Sequence, residues 1–225
     1  MSEINNSNQT NINNNSMKKL ILGILALVLI LPAYADNKNK QLEKARKKEL
    51  NTKLKEYKKG KWEILGSRTL EYSLANHYDK LNNLGENGHE VEGISTKSVS
   101  KNTGKQAAIN NAVITYAQEA GSTLQGRVIS DINANMTDPT GEFENFFAAY
   151  ERLVEKEIRG EMEPSYSIIH DNGDGTYEIR TYFIVDENRA SKARMRALEQ
   201  AFQESEAAKK YADQISDFVR EGFQE

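Results

Sequence analysis

Apolar side chains along this chain recur at two spacings, and the spacing switches where one element gives way to the next. Leu70, Ser73, Leu74, Tyr78, Leu81 and Leu84 keep steps of three and four and predict a helix, with Ser67 as its cap and Gly85 to Gly88 as its break. Ahead of it, the short apolar run Trp62 to Leu65 reads as a first strand. Glu90 to Val99 is β-prone and reads as a second, after which Asn102-Thr103-Gly104 turns the chain. Lys105 to Leu124 is the clearest helix: Ala108, Ala112, Tyr116, Ala120 and Leu124 share a face that Ile109 and Val113 widen. Alanine side chains let a helix lie close to a sheet, and Gly121 either ends this helix or permits a close contact.

Gly126 to Met136 carries Val128, Ile129, Ile132 and Ala134 and predicts a third strand, followed by a turn at Asp138-Pro139-Thr140-Gly141. Phe143, Phe146, Phe147, Tyr150, Leu153, Val154 and Ile158 make an amphipathic helix with a heavy aromatic face. Tyr166, Ile168 and His170 then alternate in a strand. Asp171-Asn172-Gly173-Asp174-Gly175 tolerates positive φ, and Tyr177, Ile179, Thr181, Phe183 and Val185 alternate in the partner strand. This is the strongest hairpin signal in the chain.

From Glu187 to Phe223 one helical stripe runs through Ala190, Ala197, Ala201, Ala208, Tyr211, Ile215, Phe218 and Phe223, broadened by Ala207 and Ala212. As a single rod it spans about 54 Å, against a radius of gyration near 15 Å for a compact domain of this size. Unless it bends near Ser205, such a rod protrudes, and self-association is the simplest way to cover its apolar face. The fold class expected is α+β: a small mixed or antiparallel sheet covered by helices, with a long C-terminal helix. The α+β domain is expected over 62–186 and the helix over 187–225. No internal repeat is present.

The amino-terminal region reads differently. Residues 1–16 are nearly all Asn, Ser, Gln and Thr, cannot bury a core and are expected to be disordered, with Met17 as the true start of translation. Residues 17–35 have the form of a signal peptide. Lys18 and Lys19 give the positive region, Leu20 to Leu31 the apolar one, and Ala33-Tyr34-Ala35 the small-x-small site, with cleavage expected between Ala35 and Asp36. Twelve helical residues span about 18 Å, well short of a hydrocarbon core of roughly 30 Å, and Pro32 ends the run. The rival reading is an uncleaved inner-membrane anchor whose basic arm rests on anionic lipid.

Composition sharpens this little. The 225 residues are 38% hydrophobic and 28% charged, with a net charge of −3, ordinary for a globular domain. Residues 36–61 hold 11 Lys/Arg against 4 Asp/Glu, so a basic segment precedes an acidic domain. That segment reads as a marginal, exposed helical spacer with Leu42, Ala45, Leu50, Leu54 and Tyr57 interspersed. There is no Cys, hence no disulfide, no thiolate metal site, no Cys nucleophile and no lipidated Cys behind the export signal.

Candidate chemistry is thin. Asp171 to Thr176 invites a calcium reading, but Gly173 stands where a ligand belongs and the residues that follow alternate as a strand. His77, His89 and His170 lie in separate elements without ligand spacing and read as surface or half-buried side chains. No nucleophile elbow, phosphate loop or dinucleotide fingerprint is present. Glu142/Glu144 and Glu155/Glu157 diverge at i,i+2 on a helix and form no acid/base pair. Arg189, Lys192, Arg194 and Arg196 crowd the start of the last helix, where the macrodipole favours acids. They meet nearby acids, solvent, an acidic partner or phosphate. No catalytic, cofactor-binding or metal residue is assigned.

The segment Gly104-Lys105-Gln106-Ala107-Ala108-Ile109-Asn110-Asn111-Ala112, following a strand, resembles the core of the Lpp-twenty lipoprotein-like and flagellar FlgT amino-terminal domains. The resemblance covers roughly 89–185 and implies a helix packed on a small sheet that a late hairpin, Tyr177–Val185, completes. The tracts Phe147-Ala148-Ala149-Tyr150-Glu151-Arg152-Leu153-Val154 and Ala190-Ser191-Lys192-Ala193-Arg194-Met195-Arg196-Ala197 make the whole chain similar to secreted Bacteroides-type proteins without an assigned function. It implies an envelope protein rather than a chemistry. Lipoprotein relatives carry a Cys after the signal and this chain does not, so lipid anchoring is not carried over.

The expectation is therefore an exported, non-enzymatic structural or binding module, periplasmic or secreted. Its partner is an envelope protein or glycan, it binds no nucleic acid, and it meets the membrane only in transit. The alternative, an envelope hydrolase, would reveal itself as a cleft with convergent carboxylates or a Ser–His contact.

Overall fold

The structure, a computed structural model, describes residues 43–132 and 139–221. The chain divides into Met1–Asn51 and Thr52–Glu225. Of the first unit only 43–51 are described, and they are helical. The expected export signal lies outside the described residues.

The second unit begins with helix α1 (52–59), whose Leu54 and Tyr57 are buried three residues apart on one face. Helix α1 is therefore anchored to the core by these two side chains, whereas an exposed spacer was expected over 36–61. Lys61 takes a positive φ of 54° to leave the helix, and Trp62 N–H closes the turn on the Tyr57 carbonyl at 2.9 Å. Strand β1 is only Glu63–Ile64, shorter than the apolar run Trp62–Leu65. Helix α2 spans Leu70–Leu84 and is capped by Thr69, which accepts from Tyr72 N–H, rather than by Ser67. A 3₁₀ turn, Gly85–Asn87, ends it, with Gly85 at φ 60°.

Strand β2 (Gly88–Ser98) leads into helix α3 (Lys101–Arg127), capped by Ser100. Asn102-Thr103-Gly104 is thus the first turn of that helix and not a loop. The expected third strand at Gly126–Met136 is also absent as far as residue 132: α3 continues to Arg127 and passes into a π-helix over Val128–Ile132, while 133–136 lie outside the described residues. Val128 and Ile129 are β-prone, but Val128 is fully buried in the helical core and Ile129 is exposed. Tertiary packing overrides propensity here. Helix α4 runs Pro139–Ile158, so Pro139 starts a helix where a turn was expected.

Strands β3 (Met162–Asp171) and β4 (Tyr177–Asp186) form the expected hairpin. Gly173 and Gly175 take positive φ of 78° and 84° in its turn. The Asp171 and Asp174 carboxylates accept from Gly173 and Thr176 N–H at 2.8 and 3.0 Å, which is turn chemistry. The sheet is antiparallel with order β1-β3-β4-β2. The α+β expectation holds, with an antiparallel sheet.

Both faces of the sheet are covered. On one, α3 comes so close that Gly93 on β2 sits under Ala108 and Ala112. Helix α4 packs on α3, and α5 (Glu187–Ala201) packs on α4. Phe143, Phe146, Tyr150, Val154 and Ile158 fill the joint. Gly121 permits a close contact, its α-carbon facing Glu151 of α4. The other face carries Glu90, Glu92, Tyr166, Ile168, Arg180 and Tyr182 and is met by α1 and α2.

The long C-terminal helix is not continuous. After α5 come a 3₁₀ turn (Phe202–Glu204), α6 (Glu206–Lys209) and α7 (Ala212–Glu221). Ser205 is extended at φ −145°, ψ 113°, and its hydroxyl takes the Ala208 N–H at 3.2 Å, so the chain turns where a bend was anticipated. Helix α7 folds back on α5: Ser191 and Arg194 donate to the Arg220 and Val219 carbonyls, and Ile215 and Val219 are buried. Ala190, Ala197, Ala201, Ala208 and Ile215 of the apolar stripe are buried within this chain, because the break lets α7 reach a nearer surface, while Phe223 lies outside the described residues.

Candidate functional site

Where β1 stops pairing, the outer edge of β3 is left open. Only Ile168 and Ile169 pair with β1, and Leu65 N–H adds a bond to the Ser167 carbonyl at 2.8 Å. Beyond that point the chain swings away through Gly66, Ser67 and Arg68. A cavity of about 240 Å³ opens between this loop, the β3 edge and α3. Ser165, Ser167 and Thr181 form its sheet side, Ser67, Arg68 and Ser73 the α2 side, and Lys105 and Ile109 the α3 side. Among the described residues no Asp or Glu lines it.

Ser165 reaches this position through a bulge. The β3–β4 register shifts between Pro164 and Tyr166, leaving Ser165 as the extra residue. A proline cannot donate to a ladder, and a bulge re-aims the side chain it releases. The Ser165 hydroxyl lies 2.9 Å from His77 Nδ1. His77 is fully buried, contrary to the surface or half-buried reading. It falls on the inward stripe of α2 with Leu70 and Leu74, at steps of four and three. The rings of Tyr78 and Tyr166 meet it edge-on at 5.5 and 5.2 Å.

His77 Nε2 is 2.6 Å from Glu90 Oε2, yet the carboxylate lies off the line of a hydrogen bond and Nε2 has no aligned acceptor among the described residues. The contact is an electrostatic one rather than a directed bond. With a proton on Nε2 facing the carboxylate, Nδ1 accepts from the Ser165 hydroxyl. The result is a Ser–His–Glu chain whose serine borders a cavity, built from three separate elements.

Beneath it a second network ties α1 to the sheet. Tyr57 Oη donates to Tyr182 Oη at 2.9 Å and lies 3.2 Å from Tyr166 Oη. Tyr182 in turn donates to Glu92 at 2.6 Å. Burial pushes the Tyr166 and Tyr182 phenols far up, so both stay neutral donors.

The arginine cluster is accounted for by carboxylates. Arg189 meets Glu161 at 2.9 Å, and Arg196 bridges Glu157 and Glu161 at 2.7 and 3.0 Å. Arg194 is buried and bonds Glu187 and the Tyr116 hydroxyl. Burial opposes its charge, but Glu187 outweighs that and holds its pKa up. Burial pushes Tyr116 up to about 12 against the pull of Arg194. Lys192 is exposed. These acids offset the macrodipole conflict, and Glu155 and Glu157 serve as partners of Arg159 and Arg196.

His89 lies 3.4 Å from Glu187. His170 stacks obliquely on Trp62 at 5.4 Å beside a cavity of about 290 Å³ whose Lys61, Lys101, Glu63 and Asp171 balance in charge. Among the described residues no group of His, Cys, Asp or Glu is arranged to hold a metal, and no helix is long and apolar enough to cross a membrane.

Ser165, Arg68 and Lys105 drew no attention in the sequence. One signal was present: a proline inside an alternating strand marks a bulge or an edge. Searches among protein-family models, curated proteins and solved structures found no match for this chain.

Proposed function

We propose that this protein is an exported, non-catalytic binding module of a bacterial cell envelope, and that the cavity at the β3 edge is where it binds. The cavity carries the reading. Among the described residues it is lined by hydroxyls and cations with no carboxylate, and pockets of a few hundred Å³ with a small set of convergent polar groups are the usual form of a binding site. Export rests on residues 17–36 and on the likeness of 147–154 and 190–197 to secreted Bacteroides-type proteins. A protein or a glycan of the envelope supplies the ligand.

Mass spectrometry of the protein isolated from its cells tests export. A mature chain beginning at Asp36 is expected; an intact Leu20–Leu31 segment in the isolated material sinks the reading. Binding is tested by nuclear magnetic resonance with a fragment panel. Saturable shifts at Ser67, Arg68 and Ser165 amides are expected, and their absence across the panel sinks it.

One observation favours a second reading, an envelope hydrolase. The Ser165–His77 contact at 2.9 Å is the pairing a serine nucleophile and its base require. A serine-directed fluorophosphonate probe separates the two. Labelling that disappears in Ser165→Ala selects the hydrolase; an unlabelled wild type selects the binding module.

A further inference from the structure

We infer that the ligand of the β3-edge cavity is a small organic anion, held through a carboxylate or phosphate group by Arg68 and Lys105. The inference rests on the reading of the cavity as a binding site. What sets these two cations apart is their place on one cavity, and Arg68 also differs from most described arginines in meeting no described carboxylate. Arg180, Arg189, Arg194, Arg196 and Arg220 each meet a carboxylate at bonding distance, and Lys58, Lys80 and Lys209 do the same. Among the described residues Arg68 has only the face of Tyr72, at 4.7 Å, and Lys105 has no ionic partner. Both line one cavity to which no described Asp or Glu contributes. Two like charges across a small cavity repel in the empty protein, and an anion between them relieves that repulsion.

The remaining lining matches the same chemistry. Ser67, Ser73 and Ser165 bring hydroxyls able to donate to anionic oxygens. Ser165 is the exception in one state: with Nδ1 of His77 unprotonated, its hydrogen points to the ring. Ser67 and Arg68 immediately precede the Thr69 cap, and Ser73 sits in the first turn of α2, so the helix dipole adds potential of the same sign. Arg supplies a planar fork suited to two oxygens, while Lys supplies a point charge that follows either group. Ile109 and Leu65 offer apolar surface for the rest of the ligand, which at about 240 Å³ is no larger than a sugar or a short acid.

Calorimetric and resonance titrations of the full protein test this at constant ionic strength, with inorganic phosphate, citrate, and glucose as a neutral probe. Phosphate or citrate is expected to bind saturably and shift the Ser67 and Arg68 amides. Affinity should fall about tenfold or more in Arg68→Gln/Lys105→Gln and stay unchanged in Lys192→Gln, an exposed cation elsewhere. Both variants alter exposed side chains and should keep the wild-type Tm. The stronger of the two anions tells whether the source is a phosphate ester or a carboxylate. Glucose bound in the cavity with equal affinity in the double variant overturns the anion and leaves the binding site standing. Equal weakening in Lys192→Gln overturns the inference by showing diffuse charge attraction. No shift at the cavity amides with any probe overturns the inference, and the fragment panel decides whether the site falls with it.

Discussion

The α-carbon of Gly93 faces the backbone of Ala108 so closely that an added Cβ would lie 1.9 Å from the Ala108 carbonyl oxygen and 2.7 Å from Ala112 N. The obstructing atoms are backbone in the middle of α3, so no side-chain rotation relieves the clash. Gly93→Ala should therefore cost about 3 kcal/mol or more, the upper end of what overpacking does, seen as a lower urea midpoint. Gly126→Ala is the contrast. It stands in the same helix with no described atom within 4 Å of the new methyl and should gain roughly 0.5–1 kcal/mol.

Arg194 holds α5, α3 and α7 together through Glu187, the Tyr116 hydroxyl and the Val219 carbonyl. Arg194→Met strands the Glu187 carboxylate, itself largely buried, and should cost about 3–5 kcal/mol. Adding Glu187→Leu removes the stranded charge and should recover most of the loss. Hydrogen exchange should show α7 amides opening first in the single variant, since they lose their anchor to α5.

Tyr57→Phe keeps the ring of α1 in the core and deletes one hydroxyl. Tyr166 Oη then loses its partner while buried, and an unsatisfied buried donor costs about 1–3 kcal/mol. Equilibrium unfolding of Tyr57→Phe beside Tyr57→Leu separates the hydroxyl from the ring: the second should cost more, because packing is lost as well.

Burial acts to raise the pKa of Glu161, but Arg196 and Arg189 outweigh it and hold the carboxyl below its ordinary value. A depressed folded pKa means stability that is present above the unfolded value of about 4.3 and lost as pH falls through the folded one. Glu161→Gln should be less stable than wild type by about 1 kcal/mol at pH 7. The gap should close in acid once the wild-type carboxylate is protonated. Denaturant titrations at several pH values check the sign.

Periodicity was enough for α2, β2, the β3–β4 hairpin and the aromatic face of α4, because each buries one side at its own period. It failed where two periods fit the same letters. Val128, Ile129 and Ile132 satisfy an apolar strand run and a helical step alike, and only the neighbouring helices decide between them. The unbroken stripe after Glu187 left a straight rod and a bend near Ser205 both open, since a chain that folds back buries the same positions as a straight one. The cavity was less legible still. His77 belongs to the inward face of α2 by spacing, but its meeting with Ser165 depends on a bulge eighty-eight positions later. Arg68 and Lys105 resemble any solvated cation until the topology sets them across one opening.

Strand order also governs when the sheet can exist. Glu92 meets Tyr182 ninety positions downstream and Tyr57 meets Tyr166 across one hundred and nine; only β3 and β4 are neighbours in sequence. A chain threaded amino end first through a pore would emerge with β1 lacking its partner until β3 followed and β2 until β4 did. Pairings of such long range form slowly, and the sheet cannot be completed before Tyr177–Asp186 arrives, since that strand joins β3 to β2.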